Sequence, residues 1–184
     1  LACGFKKAAN KFGIKIIGGD TIANQKLDIS VTIISKTLNP IFRNGVKKDD
    51  LLCYTGSLGS CKKDLEALFE NKEISNKSKF IKPKLKPKFF YEVAPFITAS
   101  MDISDGLFFE LERLSKASNV GFEFFDEISE DIGISGEEYE ILFSFDKKNL
   151  EEIEKIALKH KIKLTIFAKA VKGKYRTDAK NHHF

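Results

Sequence analysis

The sequence predicts an α/β (α+β) fold, a mixed sheet with helices packed on it. Short runs of β-forming residues alternate along the chain with amphipathic stretches of one to four turns. The 184 residues are 42% hydrophobic, enough to bury one good core and part of a second. No apolar run reaches the length that spans a bilayer.

Residues 2–11 have helical spacing and stop near Gly13. Residues 14–17 form a short β-type run that ends at Gly18, Gly19 and Asp20, and residues 27–34 alternate apolar and polar side chains as a half-buried strand does. The turn-rich, basic stretch 37–50 reads as the boundary between two units. Beyond it, strands are expected at 51–55, 99–103, 121–125, 139–145 and 164–171. Helices are expected at 57–70, 89–97 (interrupted by Pro95), 107–118 and 149–161. Leu1 opens inside what already reads as a helix, which predicts a fragment or a chain processed upstream.

The charge is +5, and only Arg43, Arg113 and Arg176 are arginines. Nucleic-acid readers favour arginine for bidentate contacts, so the basic stretch 77–88 reads as a solvated loop stiffened by Pro83 and Pro87. A basic nucleic-acid-binding domain is the competing reading from a different class. Cys3, Cys53 and Cys61 lack metal-ligand spacing and read as reduced thiols of a cytoplasmic protein. His182 and His183 have no third partner nearby that would make a zinc site.

Four segments carry chemistry. Asp102 and Asp105 flank Ser104 in a strand–turn–helix passage that ends Gly106-Leu107. Two carboxylates about 4 Å apart repel by about 4 kcal/mol at an effective dielectric of about 20. Such a pair calls for a cation, and oxygen donors without Cys or His suit Mg²⁺. The bland alternative is that Ser104 or Asp105 caps the following helix. Gly18-Gly19-Asp20-Thr21 is either a common turn or a close approach of backbone to ligand, with Asp20 joining a metal cluster. Ser135-Gly136-Glu137-Glu138-Tyr139-Glu140 precedes a strand and is either a solvated loop or a ligand-admitting glycine beside Glu137. Thr55-Gly56-Ser57-Leu58-Gly59-Ser60 is a strand-to-helix turn with either a plain cap at Ser57 or a phosphate at the helix N-terminus.

In their order these segments resemble the thiamine-monophosphate kinase family, of the superfamily that also holds aminoimidazole ribonucleotide synthetase and selenophosphate synthetase. The likeness rests on Ala2-Cys3, Gly18 to Thr21, Arg43-Asn44-Gly45, Thr55 to Gly59, Asp102 to Leu107 and Ser135 to Phe143. It implies the end of an incomplete N-terminal ATP- and Mg²⁺-binding domain at 1–38 and a C-terminal aminoimidazole ribonucleotide synthetase-like domain at 39–184. It further implies Mg²⁺ on Asp20, Asp102 and Asp105, with Asp102 and Asp105 catalytic, and ATP contacts from Gly19, Asp20, Arg43 and Ser104. Glu137 and Asn181 are expected at the thiamine monophosphate. The implied reaction is ATP-dependent phosphorylation of thiamine monophosphate to thiamine diphosphate, by a homodimer formed through the N-terminal domain, with no nucleic acid and no membrane as partner. A catalytically incomplete remnant that only binds ligand is the alternative, because the family's N-terminal Asp-rich segment is not in this sequence.

Overall fold

The computed structural model describes residues 1–179. They divide into two units, Leu1–Leu38 and one from Asn39 onward.

In the first unit, helix α1 (Ala2–Phe12) ends at Gly13, whose left-handed φ of 66° lets its N–H reach the Ala9 carbonyl. The strands expected at 14–17 and 27–34 are not formed: no strand is assigned there, and Ile16, Leu27, Ile29, Val31 and Ile33 are exposed. Alternation makes an extended segment competent for a sheet. A strand also needs a neighbour to take its backbone N–H and C=O groups, and this unit supplies none.

The second unit is a five-stranded sheet with helices on both faces. Strand β1 (Leu51–Thr55) leads to helices α2 (Ser60–Phe69) and α3 (Pro87–Val93). Strand β2 (Ala99–Ile103), helix α4 (Leu107–Ser118), strand β3 (Gly121–Phe124) and a single turn α5 (Glu130–Gly133) follow. Strand β4 (Glu140–Phe145), helix α6 (Leu150–His160) and strand β5 (Leu164–Val171) complete it. The spatial order is β2-β4-β1-β5-β3. All four ladders are antiparallel, so the sheet expected to be mixed runs in alternating directions throughout. The reason is interleaving: β1, β2 and β3 point one way, β4 and β5 the other, and each neighbour comes from the opposite set.

The pleat sends alternate side chains to two cores. Leu52, Ala99, Ile103 and Leu142 meet Leu107, Leu111 and Leu114 of α4, whose spacing keeps them on one helical face. Cys53, Phe143 and Phe145 meet Phe89 and Val93 of α3 and Ile153 and Ile156 of α6. Pro95 converts the end of the expected 89–97 helix into a separate 3₁₀ turn, Ala94–Phe96. Burial pushes the Cys53 thiol pKa up, consistent with an inert core thiol.

Candidate active site

The site is built where β2 leaves the sheet and β4 enters it. After Ile103 the chain turns through Ser104, Asp105 and Gly106 into α4. Gly106 has φ 117°, and a Cβ there would sit 2.9 Å from the Gly133 carbonyl, so only glycine fits the corner. The N-cap of α4 is Gly106, not Ser104 or Asp105, and it has no side chain to cap with. The Asp105 carboxylate pairs with Arg113, about two helical turns further on. Arg113 Nη1 also donates to both oxygens of Glu110, at 2.9 Å each. Glu110 is fully buried, and its Oε1 accepts the Asp105 N–H at 3.1 Å. Partial burial works against the Arg113 charge, but Glu110 and Asp105 outweigh it and raise its pKa.

The second loop lies against the first. Ser104 and Ile103 carbonyls accept the N–H groups of Glu137 (2.7 Å) and Tyr139 (2.8 Å). Gly136 permits this approach, since a Cβ there would sit 2.9 Å from the Ser104 oxygen. Glu137 and Tyr139 both hold left-handed backbone, at φ 57° and 48°, a costly conformation for residues with side chains. The Tyr139 hydroxyl donates to Glu137 Oε2 at 2.9 Å. Its pKa is pushed up to about 12, by burial first, then by the Glu137 hydrogen bond and the charges of Glu137, Asp102 and Asp105. Asp102, Ser104, Asp105, Glu137 and Tyr139 therefore form one neighbourhood.

Asp102 is exposed on the edge strand β2. With Arg43, Asn44, Phe42 and Ser100 it lines an open depression of about 460 Å³. Arg43, Asp102 and the Ser104–Asp105 turn are thus assembled within the second unit. Gly19 and Asp20 belong to the first unit, where Asp20 Oδ1 accepts the Thr21 N–H at 2.7 Å. Asn181 lies outside the described residues.

The turn after β1 differs from both sequence readings. Helix α2 starts at Ser60, with Gly59 as N-cap and no cap from Ser57. Its open amides are taken by a carboxylate of the protein: Glu138 Oε1 accepts from Gly59 N–H at 2.7 Å and Cys61 N–H at 3.1 Å. A buried Glu at a helix N-terminus satisfies orphan donors and the positive end of the dipole together. The basic loop 77–88 also differs from its solvated reading, because Lys79 and Lys86 turn inward to Glu138 and Glu140.

No family model matches the chain. Thiamine-monophosphate kinase of Pyrococcus horikoshii is 31% identical over 169 residues, covering 83% of this chain and 55% of the relative. That of Nitrosopumilus maritimus is 32% identical over 175 residues, covering 85% of this chain and 56% of the relative. The chain is a homologue of part of the thiamine-monophosphate kinases. It spans about half the length of the curated relatives it matches. Among solved structures, thiamine-monophosphate kinase from Stenotrophomonas maltophilia K279a has a TM-score of 0.65 at 17% identity, over 78% of this chain and 54% of that one. AaThiL complexed with AMPPCP and TMP has a TM-score of 0.64 at 21% identity, over 78% and 54%. Both share the fold of this chain over the matched part.

Magnesium is the ion that the thiamine-monophosphate kinase resemblance implies. Asp102 and Asp105 are oxygen donors of the right kind. Among the described residues, however, no group of three or more His, Cys, Asp or Glu side chains is arranged to hold a metal, and Asp105 is engaged by Arg113. The donors of this set do not by themselves complete a magnesium site. Glu110 and Lys79 are not singled out in the sequence, Arg113 enters it only as one of three arginines, and Ser135 and Tyr139 only as members of the 135–140 segment. The i, i+3 spacing of Glu110 and Arg113, in a chain with three arginines, was the available signal.

Proposed function

We propose that this chain is the C-terminal part of a cytoplasmic thiamine-monophosphate kinase, which moves the γ-phosphoryl group of ATP onto thiamine monophosphate and yields thiamine diphosphate. The observation that carries the reading is the 31–32% identity to two such kinases, in a chain that brings Asp102, Ser104, Asp105 and Glu137 to one end of its sheet.

The acceptor is a phosphomonoester oxygen, anionic at neutral pH because its second pKa is about 6. No general base is required, which suits a neighbourhood that holds no histidine among the described residues. The barrier is repulsion between two phosphates, so the work is positioning and charge neutralisation. Arg43, on the rim of the Asp102 depression, is placed to hold a phosphate of ATP. Glu137 is an acceptor-only carboxylate and repels phosphate, so it faces the cationic thiazolium or the aminopyrimidine of the substrate, with Tyr139 fixing its rotamer. Magnesium, when bound, would supply charge neutralisation on the phosphates, and Asp102 and Asp105 would be among its oxygen donors. The complete enzyme acts as a homodimer through its N-terminal domain.

Calorimetric titration of thiamine monophosphate into the protein tests the site. Glu137→Gln is expected to weaken binding at least tenfold, and unchanged affinity would overturn the substrate assignment. The second reading, a part that binds ligand without turning it over, is favoured by the Asp105–Arg113 pair and by the incomplete donor set. ADP release by this chain, with and without an N-terminal half added, separates the two.

A further inference from the structure

Behind the candidate site lies a buried charge cluster that the proposed chemistry does not use. In the segment 137–140 the side chains alternate. Glu137 and Tyr139 bond to each other on the site side. Glu138 and Glu140 turn to the other side, with side chains 0% and 5% exposed. Lys79 reaches in from the basic loop, pairs with Glu138, bridges to Glu140 at 3.2 Å and donates to the Ser57 carbonyl. Lys86 pairs with Glu140, which also accepts from the Thr55 hydroxyl at 2.6 Å. The remaining oxygen of Glu138 takes the amides of Gly59 and Cys61 and the Ser135 hydroxyl. Burial opposes the Lys79 charge, yet Glu138 and Glu140 raise its pKa overall.

We infer that Lys79 and Lys86 are positioning residues, which hold the substrate-facing Glu137 and Tyr139 in place by locking the residues between and after them. Two left-handed residues with side chains do not persist unless their surroundings over-determine them. Hydrogen bonds to the Ser104 and Ile103 carbonyls fix one side of this segment. The other side is fixed only if Glu138 and Glu140 are anchored, and the lysines are the charged groups that anchor them. A carboxylate this deeply buried needs its counter-charge. The loop carrying the lysines thus reports to the site through the strand, without touching it. Lys82 and Lys84, in the same loop, are exposed; the Lys84 carbonyl accepts from Lys86 Nζ at 3.0 Å, whereas the Lys82 side chain makes none of these bonds.

The inference rests on the proposed role of Glu137 for its functional consequence, but not for its structural one. The test therefore has two arms, on Lys79→Met, Lys86→Met, Lys79→Arg and the surface control Lys82→Gln. In hydrogen exchange, Lys79→Met is expected to speed the Glu137 and Tyr139 amides at least tenfold while the β1 amides keep their protection. Lys79→Arg is expected to restore them to within about threefold of wild type, and Lys82→Gln to leave them unchanged. In calorimetry, thiamine monophosphate affinity is expected to follow the same order. Wild-type protection of residues 137 and 139 in both methionine variants would overturn the latch. So would an equal loss of protection throughout the sheet that arginine does not rescue. If Lys79→Met does not fold, Lys86→Met carries the same readout. If wild-type protein does not bind thiamine monophosphate, the proposed function fails, and the exchange arm still decides the latch.

Discussion

Replacing Arg113 with methionine removes the cation that Glu110 and Asp105 share. Glu110 is fully buried and takes two 2.9 Å hydrogen bonds from that guanidinium. Removing one partner of a buried pair costs about 3–5 kcal/mol, because the other charge is left without compensation. The Arg113 side chain is 41% exposed, so water reaches its side of the pair. Solvent screening brings the expected loss down to about 2–3 kcal/mol. In urea this lowers the unfolding midpoint by about 1 M or more, with the slope unchanged. Arg113→Lys is expected to lose less, keeping the charge without the fork. A double variant, Glu110→Met with Arg113→Met, is expected to regain much of the loss, since no buried charge remains. An Arg113→Met protein within about 0.5 kcal/mol of wild type would refute the reasoning, because surface changes usually stay within that range.

Three further outcomes follow from the same geometry. Gly136→Ala places a methyl 2.9 Å from the Ser104 carbonyl, so stability is expected to drop by about 1–3 kcal/mol and thiamine monophosphate affinity to fall with it, checked by denaturation and calorimetry. Tyr139 ionises near 10 when unfolded and at about 12 when folded, so the unfolded chain sheds its proton first and stability falls as pH rises through that window. Cys61, pushed up to about 12 by burial and Glu138, contributes in the same direction, so comparison with Tyr139→Phe, whose stability should fall less steeply, isolates the phenol. Leu111→Ala empties a fully buried position between α4 and the sheet and is expected to cost about 2–5 kcal/mol in urea unfolding.

The second unit was largely legible because its strands and helices carry their own periodicity. Residues 99–103, 107–118 and 164–171 fold as the elements their patterns predict, with the same bounds. Residues 27–34 show how far periodicity goes: the alternation is as clear, yet a strand requires a partner that the pattern does not specify. The turn chemistry of 102–107 and 135–140 was visible as glycines beside carboxylates, whereas what each carboxylate binds was not. Glu138 and Glu137 are neighbours of identical type. Only the left-handed backbone decides that one caps α2 while the other faces the site. Lys79 and Lys86 sat in a run that composition marks as solvated, and their burial depends on carboxylates more than fifty residues away.

Phosphate-to-phosphate transfer at the Asp102–Asp105 turn is the central proposal. Thiamine diphosphate formation from ATP and thiamine monophosphate tests it most directly, with the chain supplemented by the N-terminal half of the Pyrococcus horikoshii relative and compared with its Asp105→Asn variant. Product that rises with magnesium and falls at least a hundredfold in the variant is the expected result. Equal product from the two proteins at ordinary magnesium would contradict it.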